Sequence, residues 1–216
     1  MKSPPAHPTG LGHQLKAATA TMHRRVERTA FMASLLRGQL DRRRYAELLH
    51  NLQALYAVLE DALAHHAATP GVAPVVMPEL FRSQAIAADL QALAGDAPSA
   101  HAPLARAMQQ YVERLKELST AKPDLLVAHA YVRYLGDLNG GQALRRVVAR
   151  SLGLTGSTGT LFYDFGDSAA QQRLVQHFRT GLEAAALQLK DSRDLTDEAL
   201  SAFERHEQLF EELAAA

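Results

Sequence analysis

Between Asp41 and a Thr69-Pro70-Gly71 cluster, the apolar residues Tyr45, Leu48, Leu49, Leu52, Leu55, Tyr56, Leu59 and Leu63 recur every three or four positions. That spacing lays them along one face of a long α-helix, and a helix with one apolar face must bury it against other elements. The rest of the chain offers helices for the purpose. Leu15, Ala18, Met22, Val26 and Thr29 draw a first stripe over 11–29. Pro78 and Pro103 stand where a first helical turn tolerates proline, the one followed by Leu80, Ile86, Leu90 and Leu93, the other by Leu104, Met108, Tyr111 and Leu115. A further helix begins near Pro123 and carries Leu126, Val127, Ala130, Tyr131 and Tyr134. Ser168 and Gln171 read as a capping box for a helix running to about Leu189, and Leu200, Phe203, Phe210 and Leu213 mark a last helix over 196–213. The apolar patch at 161–165 reads as an extended connection. The reading is an all-α fold, and Val and Ile, sparse beside Ala and Leu, point the same way.

A chain of 216 residues is long enough for one sizeable core and short for two. Its 47% hydrophobic and 21% charged content is that of a folding domain rather than of a disordered one. Lys plus Arg and Asp plus Glu both total 23, so no overall field recruits nucleic acid, and none is expected as a partner. The absence of Cys excludes disulfides and thiolate ligation, leaving His, carboxylate or oxygen for any metal. Residues 1–10 hold three prolines and no apolar run, which predicts a frayed tail before a single domain over 11–216. With no apolar 20-mer to anchor it, the protein is expected in the cytoplasm. No long exposed apolar stripe demands a partner, so a monomer is expected.

Two segments stand out chemically. His23 and Glu27 lie four apart on the first helix and therefore share a face. A metal-bound imidazole commonly gives its other N–H to an oxygen acceptor, and Glu27 is placed to take it. Spacing alone favours an ordinary His–Glu contact. His65, His66 and His101, beside Pro- or Ala-rich turns, are expected to face solvent. The second segment, YVRYLGDLNGGQ over 131–142, puts Gly136, Gly140 and Gly141 inside what would otherwise be one helix to Ser151. Three glycines there cost roughly 3 kcal/mol against alanine. Gly136 and Gly140 share a side and would admit something flat close to the backbone, with a kink at Gly140-Gly141. Close helix packing with Asp137 on the surface is the alternative. The Lys and Ser or Thr of a phosphate loop are missing after these glycines.

Taken together, the two segments resemble the haem oxygenase family. The likeness runs through LKAATATMHRRVE from Leu15, FMASLLRGQ over 31–39, QYVERL over 110–115, LLVAHAYVRYLGDLNGGQ over 125–142 and QLFEEL over 208–213, about nine-tenths of the chain. It implies a single-domain helical fold that sandwiches haem between a proximal helix and a kinked distal helix. By residue-for-residue match, His23 would ligate the iron with Glu27 as its hydrogen-bond partner. Gly136, Gly140 and Gly141 would form the distal wall, with Asp137 holding a water network that reaches Arg133 and Tyr56. Lys16, Tyr131 and Arg179 match positions that meet the haem propionates, and Phe203 and Phe210 match aromatics near the pocket.

The implied activity is oxygen-dependent cleavage of haem, at once cofactor and substrate, to biliverdin, carbon monoxide and ferrous iron. The α isomer is the expected product. Electrons would come from outside, from a ferredoxin or a flavoprotein reductase, since the chain carries no flavin or nicotinamide motif. Two departures bear on the slot: Asn139 stands where many relatives have Ser, and Val175 replaces a basic propionate contact, with Gln176 or Arg173 as substitutes. A haem-binding protein without turnover is the main rival. A helical relative without haem, of the thiamin-degrading kind, is disfavoured by the lack of a catalytic Cys.

Overall fold

The computed structural model describes residues 10–96, 98, 102–189 and 191–215. Of the expected tail only Gly10 falls inside that range, and His101 lies outside it. The described chain forms nine α-helices: α1 Leu11–Glu27, α2 Ala30–Leu36, α3 Arg42–His65, α4 Ser83–Ala92, α5 Arg106–Ala121, α6 Leu126–Ala130, α7 Gly136–Ser151, α8 Ser168–Ala186 and α9 Ser192–Ala215. The fold is all-α. No helix among the described residues is long and apolar enough to cross a membrane.

The predicted stripe of α3 is the centre of the core, with Tyr45, Leu49, Leu55, Tyr56, Leu59 and Leu63 wholly buried. α3 packs on α4 and α5, while α9 lies against α1, α2, α5 and α6. The contact between α1 and α9 fixes the side chains that flank His23.

Six of the helix starts are capped in one of two ways. Thr29 Oγ1 accepts from Met32 N at 3.4 Å, Asp41 Oδ1 accepts from Arg44 N at 2.8 Å, and Asp167 Oδ1 accepts from Ala170 N at 2.7 Å, all local caps. The first of these ends α1 at Glu27 rather than Thr29, because Thr29 caps the short α2. The last displaces the capping box expected at Ser168: the capping side chain is one residue earlier. α1, α4 and α5 have no local side-chain cap and are capped by carboxylates from distant helices. Glu183 accepts from Leu11 N and Gly12 N, Glu60 from Arg82 N and Ser83 N, and Glu212 from Arg106 N and Ala107 N.

Proline placement differs from expectation in a related way. Pro78 opens a 3₁₀ turn, Pro78–Leu80, and α4 starts only at Ser83, where Glu60 supplies the cap. Residues Leu161–Tyr163 also form a 3₁₀ turn instead of an extended connection, pinned by Asp89, which accepts from Leu161 N and Phe162 N at 2.8 Å each.

Candidate active site

On α1, the buried face is Leu15, Thr19, Met22 and Val26, which leaves His23 turned outward beside it. Its side chain is 53% exposed, and its ring meets Phe203 of α9 edge-on at 5.8 Å. Glu27 Oε2 lies 3.6 Å from Nδ1, a neighbour beyond hydrogen-bond length. Nε2 is the ring nitrogen turned away from that carboxylate. One exposed imidazole suits a metal that arrives with its other ligands already in place.

Opposite in sequence logic is the helical path α6–α7. Tyr131–Leu135 between them forms a π-helical turn, and from Gly136 onward the chain is regular α-helix through Gly140 and Gly141. The departure from α geometry therefore precedes the glycines instead of falling at the Gly140-Gly141 pair. Such single π turns often sit at functional sites, because the extra residue shifts the face presented by everything after it. The three glycines differ in role. A Cβ on Gly136 or Gly140 would meet nothing within 4 Å, so both border open space. A Cβ on Gly141 would meet Tyr163 Cδ1 at 3.5 Å: this glycine is buried against the 3₁₀ turn and lines no slot in the described structure.

Asp137 is buried, not on the surface. The Tyr56 hydroxyl donates to Asp137 Oδ2, and Arg133 Nη2, one turn earlier on the same path, donates to Oδ1 at 2.9 Å. Arg133 Nε donates to the Tyr56 hydroxyl at 2.9 Å, so the three groups expected to communicate through water touch directly. Arg133 Nη1 lies 3.1 Å from His206 Nε2. His206 Nδ1 lies 2.7 Å from the carbonyl of Ala202, which can only accept, so the proton is on Nδ1 and Nε2 accepts from Arg133.

Charge states follow from burial and neighbours. Burial pulls the Arg133 guanidinium down, but Asp137 and Tyr56 outweigh it and the group stays cationic. Burial raises the Asp137 carboxyl against the opposing pull of Arg133 and the Tyr56 hydrogen bond. Burial also lifts the Tyr56 phenol well above its ordinary range, so it remains a donor. His206, desolvated and facing the Arg133 charge, is held down at about 3 and is neutral.

At the other end, burial raises the Tyr131 phenol, while Thr19 of α1 and the Arg179 charge on α8 oppose that rise. Thr19 thus lies near Tyr131, where the two helical paths approach each other. His23 comes four residues farther along α1, and Gly136 and Gly140 come five and nine farther along the other. Lys16 and Arg179 are exposed, Val175 is half-buried against the core, and Gln176 and Arg173 face solvent. Phe210 stacks on Phe31 at 5.9 Å, away from the imidazole.

Sequence reasoning missed His206 and, behind it, a second buried polar chain. Tyr111 donates to His129 Nδ1 at 3.0 Å, His129 Nε2 donates to Glu198 Oε1 at 3.1 Å, and Arg114 Nη2 donates to Glu198 Oε2 at 2.6 Å. His206 stacks edge-on to Tyr111 at 5.1 Å. His206 falls on the α9 stripe three residues after Phe203, a signal that could have placed it in the core. Among the other histidines, His65 is exposed, whereas His66 is half-buried with Nε2 2.8 Å from the Ser119 carbonyl.

The family model described as "Heme oxygenase" matches residues 9–212. The chain belongs to the heme oxygenase family. It is 37% identical to "Heme oxygenase 1" of Pongo abelii over 97% of this chain and 74% of that one, and 33% identical to "Heme oxygenase" of Rhodella violacea over 95% and 87%. Among solved structures, heme oxygenase-1 of the cyanobacterium Synechocystis in complex with heme superposes with a TM-score of 0.86 at 31% identity, over 95% of this chain and 93% of that one. The heme oxygenase of Leptospira interrogans gives a TM-score of 0.87 at 32% identity, over 94% and 99%. The chain is accordingly a haem oxygenase-type enzyme, whose family reaction cleaves haem to biliverdin, carbon monoxide and iron.

Proposed function

We propose that this chain cleaves haem with molecular oxygen, drawing electrons from an external ferredoxin or flavoprotein reductase, and releases chiefly the α isomer of biliverdin. The supporting observation is the presence in one chain of an exposed imidazole, His23, and a helix face whose two glycine positions border open space. A flat, apolar, metal-bearing ring fits such a pair. When bound, haem would supply an oxygen-binding iron and the carbon edge that is oxidised.

The protein's own share is ligation, orientation and proton placement. His23 would ligate through Nε2, since Nδ1 is the nitrogen turned toward Glu27. Gly136 and Gly140 keep Cβ atoms out of the slot. Lys16, Arg179 and the Tyr131 hydroxyl would supply a polar edge for the two propionates, and their placement would decide which meso carbon faces the distal helix. Asp137 uses one lone pair on each oxygen for Tyr56 and Arg133, so both oxygens keep a free lone pair for a water on the slot side. A water accepted by that carboxylate keeps an O–H free to donate into the slot, which puts the proton source one water away from the reacting centre. Arg133 and Tyr56 hold the carboxylate still.

The test is to mix the chain with haem, a reductant and air. The expected result is loss of the Soret band, growth of biliverdin absorbance and release of carbon monoxide, with the α isomer dominating on chromatography. A Soret band that persists through reduction and aeration would refute the reading.

We also propose that the enzyme works as a monomer. Leu36 and Leu187 are the large apolar side chains exposed among the described residues, and they belong to different helical segments. Light scattering at micromolar concentration checks this, and a dimer mass would overturn it.

A further inference from the structure

The start of α1 is held by a residue far away in sequence. Its N-cap, Gly10, has no side chain, and no acidic residue stands in its first turn. Instead, both oxygens of one carboxylate on α8 serve it: Glu183 Oε2 accepts from Leu11 N at 2.9 Å and Oε1 from Gly12 N at 3.0 Å. These are two of the four N–H groups that a helix start leaves unpaired, and a negative charge there is also stabilised by the positive end of the helix dipole. Gly10 makes room for the arrangement, because a Cβ at that position would lie 2.4 Å from Glu183 Oε2.

What the cap joins matters more than the cap. Glu183 is one turn beyond Arg179 on α8. Lys16 and His23, seven residues apart on α1, lie two turns from each other on one face. The carboxylate thus fixes, through two backbone bonds, how far α1 slides or tilts against the helix that carries Arg179.

We propose that Glu183 is a positioning residue that sets the spacing of Lys16 and His23 against Arg179, and thereby the seat and rotation of the haem. This rests on the haem-cleaving reading above. Glu183 touches neither substrate nor reacting atoms, and it acts through the backbone of α1.

Two variants separate a link between helices from simple helix capping. Glu183→Ala removes both. Adding Gly10→Asp to it restores a cap from within α1, since Gly10 already has non-left-handed backbone with φ −51° and ψ 159°, and the crowding carboxylate is gone. Amide exchange in the haem-free chain, Soret titration with haem and chromatography of the product are measured on both. Exchange over the first turn of α1 should rise about fivefold in Glu183→Ala, the size of one lost cap, and return to normal in the double variant. Haem affinity should fall several-fold in both, with β or δ biliverdin appearing in both. Unchanged affinity and isomer ratio in Glu183→Ala, or full recovery of both in the double variant, would overturn the proposal. A wild-type chain that shows no Soret shift with haem would overturn the functional reading and this proposal together, whereas normal wild-type binding confines the failure to Glu183.

Discussion

His23 and Asp137 pose opposite problems to the fold. His23 is half in solvent and makes one ring contact, so its replacement disturbs little besides ligation. His23→Ala should leave the unfolding free energy of the haem-free chain within about 0.5 kcal/mol of wild type, as for a surface position, and abolish the iron–imidazole band in the resonance Raman spectrum of the haem complex. An unchanged band would identify a different ligand. Asp137 is buried against a cation, and removing one partner of such a pair strands the other. Asp137→Ala is therefore expected to cost stability, about 3 kcal/mol, the low end of the buried-pair range, because Arg133 keeps Tyr56 and His206. Asp137→Asn retains the shape and an acceptor oxygen. Both variants should bind haem with affinity near wild type, and both should form biliverdin at least tenfold more slowly, Asn less severely than Ala. If biliverdin forms in Asp137→Asn at the wild-type rate, the carboxylate does not place the proton.

At the scale of elements, glycines that look alike in sequence separate by what a Cβ would meet. Gly140 sits in regular α-helix beside open space, so Gly140→Ala should stabilise the haem-free chain by about 0.5 to 1 kcal/mol through helix propensity. The same methyl group narrows the slot, so haem affinity should fall while the melting temperature rises. Calorimetry and a Soret titration on one sample test the pair, and an affinity that rises with stability would mean that this face does not receive haem. Gly181 is the contrary case, since a Cβ there would lie 2.1 Å from the Pro74 carbonyl oxygen, a backbone atom that cannot swing away. Gly181→Ala should destabilise by about 1 to 3 kcal/mol, as other overpacked positions do, read as a lower urea midpoint at unchanged slope. The helices were legible because apolar spacing is a local property: the α3 stripe and its Asp41 cap are where the pattern puts them. Their boundaries were less so, and the reason is visible in the caps. α4 begins where Glu60 reaches it and α5 where Glu212 does, and no window of neighbouring residues contains that information. The π turn at Tyr131–Leu135 has the same character, since the glycines announce an irregular helix without saying which turn absorbs it. Of the candidate site, spacing put His23 beside Glu27 and Gly136 and Gly140 on one side of a helix, and only the resemblance gave them roles, whereas the direct Tyr56–Arg133–Asp137 contacts and His206 depend on helices far apart in the chain.

For the molecule as a whole, the helical core encloses polar groups whose protonation differs between folded and unfolded chains, and this gives stability a calculable dependence on pH. His206 is held near 3 against an ordinary 6.5 by burial first and by the Arg133 charge second. Between those values the unfolded chain binds a proton there that the folded chain refuses, so acidification through this window favours unfolding. Glu198 acts in the same sense at lower pH. Burial pushes its carboxyl up, but the hydrogen bonds from His129 and Arg114 prevail and hold it at about 2 against an ordinary 4.5. Asp137, Glu60 and Asp89 act in the opposite sense: burial raises each, so the folded chain keeps protons that the unfolded one has lost, and their contributions improve on acidification just above their ordinary values. The total curve mixes these terms, and a difference between two proteins isolates one of them. His206→Gln keeps an oxygen that can accept from Arg133 and removes the titrating ring. The wild type's stability relative to this variant should be constant above pH 7 and should decline by about 1.4 kcal/mol per pH unit once the pH is well below 6.5, continuing toward 3. Urea unfolding of both proteins at pH 7.5, 6, 5 and 4 measures it. A difference that stays flat across that range would show that His206 titrates normally in the folded chain, and hence that it does not sit neutral as the acceptor behind Arg133.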